Sequence, residues 1–522
     1  MKKPQRATVT HFFAPAWQSL PVEVITWEKV SREVVDYLFW MLAATGKAPI
    51  IATDAICFVL NRVLNNWCNE AAYLLDVASA SQIDHIAEEF VFAGPFYMLN
   101  MAKGNPIVFE ANTLQMEEGS HYRPAPVLRS VAEWPTPRPG TPLEVAEEIK
   151  NVVRDRLLGI LFSQSFDIIN REIGTPEDLN FGCQVALGFH KGPFDIMKEL
   201  GEAEVNRIMS KFQAARPGFP RAQKPFSEYQ DFRRYILVDE MDRVRIITIR
   251  RPQVMNAIND EVNDEILGVL RENIDNPSVK GFVITGYGQA AFSAGADIGK
   301  FPQVLGNKKT SVQYARDCAK VQRFMDKMSK PVVAAVDGFA WGGGLEIAIR
   351  CHSIIATKKS TFRFPEITLG ILPGIGGCIV PYRKWPQGAK VFHEMICSAK
   401  TISAEQAADI GMVNKLVDNY YDMIQEAVKE VANLQGKVKP IPDGKVDIPK
   451  VEVPEPPMAG KLPISKEVVS IAARMIRDGA AAETLAQALE IGYEGSGEIA
   501  CTEAAKEGIS AFLEKRQPQF KK

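Results

Sequence analysis

The 522-residue chain lacks the usual marks of several protein classes. Its eight cysteines, at 57, 68, 183, 318, 351, 378, 397 and 501, form no C-x-x-C pair. That spacing argues against a disulfide scaffold or a structural zinc site and fits free thiols in a reducing compartment, so no metal is expected. A charge surplus is missing too: 61 Lys+Arg against 63 Asp+Glu leave a net charge of −2, which excludes an electrostatic footprint for nucleic acid or anionic membrane. The densest apolar run, Tyr37 to Thr45, falls far short of the ~20 residues that span a bilayer. The opening MKKPQRATVTHFF has two lysines but no apolar core for a secretory signal. A soluble, cytoplasmic protein is expected. No Gly-Lys is followed by Ser or Thr, so there is no Walker A loop. Gly286–Ala291 spells G-x-G-x-x-A, but it runs into Ala294-Gly295-Ala296-Asp297 instead of a helix and lacks the acidic ribose partner.

What remains is ordinary globular material, 46% hydrophobic and 24% charged, which leaves disorder no large share of the chain. The length suggests two to four domains. Two Pro-rich stretches, 123–142 and 436–463, read as linkers or extended straps, because proline supplies no donor to a helix or sheet ladder. Residues 1–230 read as mostly helical, with apolar positions at i, i+3, i+4 through 34–45, 58–75, 145–170 and 195–212. An imperfect repeat runs through this half. RVLNNWCNEAAYLLD from Arg62, SASQID and GPFYMLN from Gly94 are echoed by RLLGILFSQSFDIIN from Arg156, GTPEDLN and GPFDIMK from Gly192. Two copies are too few for a solenoid and point to duplication of one helical domain. From Val244 the pattern becomes short strands (245–249, 282–285, 332–336, 353–357) alternating with helices (260–272, 311–328), which predicts βαβ units and a largely parallel sheet.

Chemistry-bearing residues follow those strands. Trp341-Gly342-Gly343-Gly344-Leu345-Glu346 carries three glycines that let backbone amides approach a ligand closely and face a developing oxyanion. Phe292-Ser293-Ala294-Gly295-Ala296-Asp297 offers a second amide from a neighbouring strand end. Phe364-Pro365-Glu366 places a carboxylate before another glycine-rich turn, Pro373–Gly377. Glu346 and Glu366 both sit in apolar, Gly-rich surroundings where a solvated carboxylate would not be expected. Such a pair near oxyanion donors can serve as general base and general acid on a carbonyl-activated substrate.

AFSAGADI, KPVVAAVDGFAWGGGLE, FPEITLGILPGIGG, TISAEQAADIGMVNKLV and the tail AAKEGISAFLEKRQP resemble the enoyl-CoA hydratase (crotonase) family, from about Val244 to the C-terminus. The resemblance implies a ββα-spiral core with a helical C-terminal segment, assembled as trimers or dimers of trimers. It puts the oxyanion hole on the N–H groups of Ala296 and Gly343 and the catalytic carboxylates on Glu346 and Glu366. It sets the CoA contacts at Val254, Ala294, Asp297 and Ile298, and Gln253 stands where a basic residue is common. The implied reaction is hydration of trans-2-enoyl-CoA, with no cofactor beyond the CoA of the substrate. Alternatives are an isomerase or hydrolase of the same fold, or a non-catalytic CoA-binding subunit.

Residues 8–100 and 141–215 resemble the C-terminal helical domain of 3-hydroxyacyl-CoA dehydrogenases in duplicated form. THFFAP, VEVI at Val22, FVLNR at Phe58 and GPF at Gly94 carry the likeness. It makes His11 the residue that takes the 3-hydroxyl proton, Glu23 (twelve positions on) its orienting partner, and Asn61 the third member. Ala14 and Ile56-Cys57 depart from the family's HFFNP and PGF, and no Rossmann domain precedes His11 in this sequence. NAD binding is therefore expected only with a Rossmann domain on another chain; failing that, the half-domain is a relic used for packing, or the chain is truncated. The expected architecture is an all-α N-terminal half followed by an α/β crotonase fold. Its parts are copy 1 at 1–103, a linker at 104–140, copy 2 at 141–230, the spiral core at 231–435, a Pro-rich insert at 436–463 and the helical segment at 464–522.

Overall fold

The computed structural model describes residues 2–453 and 455–520. The chain divides into two compact units between Arg234 and Tyr235.

The first unit opens on a sheet, not on helices. Strands β1 (Thr10–Phe12), β2 (Pro21–Thr26) and β3 (Ala48–Thr53) lie in that order, β1 antiparallel and β3 parallel to β2. The expectation of an all-α first half is thus corrected. PVEVIT and APIIAT are short, rich in β-branched residues and almost wholly buried, which suits strands covered on both faces. The connecting helix Arg32–Ala44 packs Val35 and Leu42 against Val22 and Val24.

Beyond β3 the unit is helical, and the repeat is visible in its turns. Asp84 accepts from Phe96 N–H and Tyr97 N–H, both at 2.8 Å, at the start of the helix Pro95–Ala102. At the matching Gly-Pro turn Asn180 accepts from Phe194 N–H at 3.1 Å before the helix Pro193–Leu200. A Cβ on Gly94 or on Gly192 would lie 2.4 or 2.0 Å from those clamping side chains, so both Gly-Pro turns exclude any larger residue. The segments before the two turns exchange backbone bonds, Phe92 N–H to Gly188 C=O and His190 N–H to Phe90 C=O. The helix expected over 195–212 is two helices, Pro193–Leu200 and Glu202–Ala215, parted at Gly201 with φ +78. Residues 104–140 are no linker: they carry the helix Asn105–Gln115 and bury Tyr122 and Trp134, whose indole donates to Asn105 Oδ1 at 2.9 Å.

In the second unit, strands β4 (Ile236–Met241), β5 (Val244–Ile249), β6 (Gly281–Gly286), β8 (Val332–Val336), β10 (Ser353–Thr357) and β13 (Lys415–Val417) build a six-stranded sheet. Its order is β13-β10-β8-β6-β5-β4, parallel except for β4. A second sheet runs β12-β11-β9-β7, from β7 (Ala291–Ser293), β9 (Phe339–Trp341), β11 (Thr361–Arg363) and β12 (Ile402–Ser403). Each of β6, β8 and β10 is followed at once by a short strand of the second sheet, so the chain climbs as a spiral of strand pairs. The helix read at 311–328 breaks at Ala319 into Lys308–Cys318 and Lys320–Met325. The Pro-rich insert lies as a strap: Ile441, Ile448, Val451 and Val453 pack on the core, and buried Arg383 donates to Pro442 C=O and Gly444 C=O. Among the described residues no helix is long and apolar enough to cross a membrane.

Candidate active site

The second sheet explains why three distant motifs meet. β7, β9 and β11 are parallel neighbours, with Ser293 beside Ala340 and Trp341 beside Arg363. Their C-terminal ends therefore emerge side by side, carrying Gly295-Ala296, Gly342-Gly343 and Glu366. The fit is close: a Cβ on Gly343 would lie 3.3 Å from Ala296 N. Gly295 has φ +117 and Gly342 φ +50, and a side chain at Gly342 would come within 2.7 Å of Glu366 Oε1. Only glycine serves both positions without strain or collision.

Ala296, Gly343, Glu346 and Glu366 all line one cavity of about 140 Å³. Apolar Ile298, Phe301, Val304, Leu372, Ile499 and Ala500 form much of the rest of its wall. The two carboxylates differ in their partners. Glu346, 3% exposed, accepts through Oε1 from Ile375 N–H at 3.0 Å and Gly377 N–H at 2.8 Å. Glu366 Oε2 is buried without a hydrogen-bond partner among the described residues. Burial raises both carboxyls. Glu346 reaches about 7, its rise moderated by the Gly377 and Ile375 amides and by Arg350. Glu366 is held well above the ordinary carboxyl range by burial and then by the Glu346 charge. An anion here settles first on the residue with amide donors.

The segment expected to contact CoA is braced against the same loop. Ala294 N–H donates to Met255 C=O at 2.9 Å, Asp297 N–H to Ile258 C=O at 2.8 Å, and Asp297 pairs with Arg251 at 3.0 Å. Val254 is 42% exposed at the tip of that segment, and Ile298 faces the cavity. The wall also includes Tyr314 and Cys318, which none of the sequence motifs marked. These stand one turn apart on the helix Lys308–Cys318, line the cavity and share a hydrogen bond. Burial pushes the Cys318 thiol up to about 12. Their i, i+4 spacing on an amphipathic helix was a legible but ambiguous signal.

In the first unit the three residues singled out are also together. His11 Nδ1 lies 2.6 Å from Glu23 Oε2, and His11 Nε2 lies 3.4 Å from Asn61 Nδ2. Register pairs His11 directly with Glu23 across β1 and β2. Glu23, fully buried, accepts through Oε1 from Val59 and Leu60 N–H, both at 2.9 Å, at the start of the helix Leu60–Tyr73. Cys57 and Phe58, just before that helix, have φ +65 and +50, a conformation that favours glycine.

Both units resemble known proteins in sequence. Residues 239–441 match the family profile described as enoyl-CoA hydratase/isomerase. A crotonyl-CoA hydratase of Syntrophomonas wolfei is 33% identical over 290 residues, covering 55% of this chain and 97% of the relative. A short-chain-enoyl-CoA hydratase of Clostridium acetobutylicum is 33% identical, covering 54% and 95%. The 2,3-dehydroadipyl-CoA hydratase of Escherichia coli is 30% identical, covering 55% and 98%. Through its C-terminal half, the chain belongs to the enoyl-CoA hydratase/isomerase family. Residues 1–55 match the profile described as 3-hydroxyacyl-CoA dehydrogenase, NAD binding domain. The segment from residue 8 to 55, expected to belong to the dehydrogenase helical domain, is thus matched to the nucleotide-binding domain instead, in keeping with its three strands.

Proposed function

We infer that the chain is an enoyl-CoA hydratase, a hydro-lyase that adds water reversibly to trans-2-enoyl-CoA to give 3-hydroxyacyl-CoA. The observation that carries this reading is the unequal carboxyl pair beside two backbone amides in one apolar cavity. The thioester carbonyl oxygen accepts from Ala296 N–H and Gly343 N–H. A water lies between the carboxyls; Glu346, ionised and held by Ile375 and Gly377, takes one of its protons as the hydroxyl adds to Cβ. Negative charge moves to the thioester oxygen, where each backbone donor is worth about 10²–10³ in rate. Glu366, protonated, delivers its proton to Cα. Val254, Ala294, Asp297 and Ile298 flank the CoA moiety, which arrives with the substrate, so hydration needs no metal or redox cofactor. Assembly as a trimer-based homo-oligomer in the cytoplasm completes this reading. It is tested by the loss of conjugated-thioester absorbance of crotonyl-CoA: turnover by the wild type and its collapse in Glu346→Gln and Glu366→Gln are expected, and no turnover with any enoyl-CoA overturns it.

A second reading is favoured by the assembled His11–Glu23–Asn61 cluster. In it the first unit, whose opening sheet matches part of a dehydrogenase NAD-binding domain and whose remainder is helical, is half of a 3-hydroxyacyl-CoA dehydrogenase whose NAD site is completed by a Rossmann domain on another chain. The hydratase product would be its substrate. NADH formation from 3-hydroxybutyryl-CoA on addition of a dehydrogenase Rossmann domain, lost in His11→Ala, supports it; no NADH from that mixture rejects it.

A further inference from the structure

Glu346 owes its position to a turn that is gripped from both sides. The Ile375 and Gly377 amides donate to its Oε1. On the carbonyl side of the same turn, Arg350 Nη1 donates to Ile375 C=O at 3.4 Å, and a Cβ on Gly376 would meet that Nη1 at 3.0 Å. Arg350 stands four residues after Glu346, just past the end of the helix Gly343–Ala348 that carries that carboxylate. Its guanidinium is wholly buried, an unusual place for a cation with no role in a core. Arg350 is itself fixed: Nε donates to Asp326 Oδ1 at 2.9 Å and Nη2 to Asp326 Oδ2, a two-point fork on a carboxylate that is 15% exposed.

We propose that Arg350 is a positioning residue for the Glu346 carboxylate, acting through the Ile375–Gly377 turn and charge-balanced from behind by Asp326. The inference rests on the reading of Glu346 as the base. Arg350 orients the amides that receive the carboxylate and supplies the nearest positive charge to it, while Asp326 sets how much of that charge is felt. The other titratable groups facing Glu346 are Glu366, Cys318 on the helix Lys308–Cys318, Cys378 just beyond the turn and Tyr493 on the helix Leu485–Ile499. Burial pushes the two thiols and the phenol upward, so they stay neutral around pH 7. Glu366, Arg350 and Asp326 carry charge next to Glu346; Lys384, lowered to about 8 by burial, acts on Arg350 and Asp326, and Arg323 acts on Tyr493.

The experiment is the pH profile of kcat/KM for crotonyl-CoA in Arg350→Met, Arg350→Lys and Asp326→Asn. Loss of the cation makes Glu346 harder to ionise, so in Arg350→Met the acid limb moves up by about one pH unit, with kcat down about tenfold at pH 7 and KM little changed. Loss of the Asp326 charge leaves Arg350 less neutralised, so in Asp326→Asn the limb moves the opposite way. Arg350→Lys keeps the charge and restores the limb to near its wild-type place. A folded Arg350→Met whose limb does not move, with rate lost equally at every pH, means Arg350 only packs the core and overturns the proposal. Should Arg350→Met fail to fold, an unmoved limb in Asp326→Asn overturns it alone. Titration of the Glu346 carboxyl by infrared difference against Glu346→Gln reads the same shifts without turnover. A Glu346→Gln enzyme that keeps wild-type activity therefore defeats the hydratase assignment of Glu346 and leaves the positioning claim to be decided by the spectra.

Discussion

Both units bury a glutamate beside a second titratable residue, His11 in one and Glu346 in the other, yet the two carboxylates are in contrasting states. Glu23 is saturated: two amides at a helix start and His11 occupy its oxygens. Glu366 lines a cavity with one oxygen unpartnered, its charge opposed by burial and by Glu346. A saturated carboxylate stabilises a fold and orients its neighbour. An unsaturated one keeps capacity for a proton, a water or a substrate, and the fold bears the cost of it.

The comparison is broken most violently by neutralising the cavity pair. Glu346→Gln and Glu366→Gln should each lower kcat for crotonyl-CoA hydration by about 10²–10⁴, the range for removal of a positioned general acid or base. Steady-state assays over a substrate series measure it, and a loss below tenfold in either variant would remove that residue from the proton transfers. Next in size is Gly342→Ala. Its Cβ must intrude on Glu366 Oε1 at 2.7 Å and sit at φ +50, so a fall of roughly 10²-fold in kcat is expected, with the protein still folded by circular dichroism.

How readily each region could be read from sequence follows the same divide. The cavity residues sit on turns whose glycines and carboxylates are unusual for their surroundings, and parallel pairing of β7, β9 and β11 brings their ends together with little freedom. The six-stranded sheet was legible for a related reason, since VVAAV and SIIAT are continuous apolar runs. The N-terminal sheet was not: β2 and β3 pair across an intervening helix, and six-residue runs do not reveal a nonlocal partner. Residues 104–140 misled because proline density was taken for extension. Pro106 instead opens a helix, where its missing N–H costs nothing. Arg350 escaped notice because Asp326, twenty-four positions earlier, is what permits a cation inside IAIRC.

The pH dependence sharpens the contrast. As the proposed base, Glu346 must be ionised, and burial raises it to about 7, so kcat/KM should fall as pH drops through that region. As the proposed acid, Glu366 must be protonated, so an alkaline limb should appear at higher pH. The sign for stability follows from the same shifts. A carboxyl raised in the folded state contributes no penalty below its unfolded value near 4.5, and stability is lost as pH rises through the folded value. Glu366→Gln should therefore raise Tm by roughly 2–4 °C at pH 8 and by much less at pH 5. Scanning calorimetry at both values checks it, and an equal change at both would reject the buried, raised carboxyl.

The smallest activity change is expected from the first unit, where the same substitution reverses its sign in stability. Glu23→Gln keeps an oxygen for the Val59 and Leu60 amides but weakens the bond to His11, whose ring is 27% exposed while Glu23 is fully buried. A loss of about 1–2 kcal/mol is expected, seen as an earlier calorimetric transition of the N-terminal unit. Crotonyl-CoA hydration should stay within about twofold in Glu23→Gln and in His11→Ala. The carboxyl pair, its amides and its cavity are all built from residues after Tyr235, around a core of their own. A hydration rate that instead followed His11 would mean the two units share one chemistry, and the contrast between a saturated and an unsaturated carboxylate would no longer divide the molecule by function.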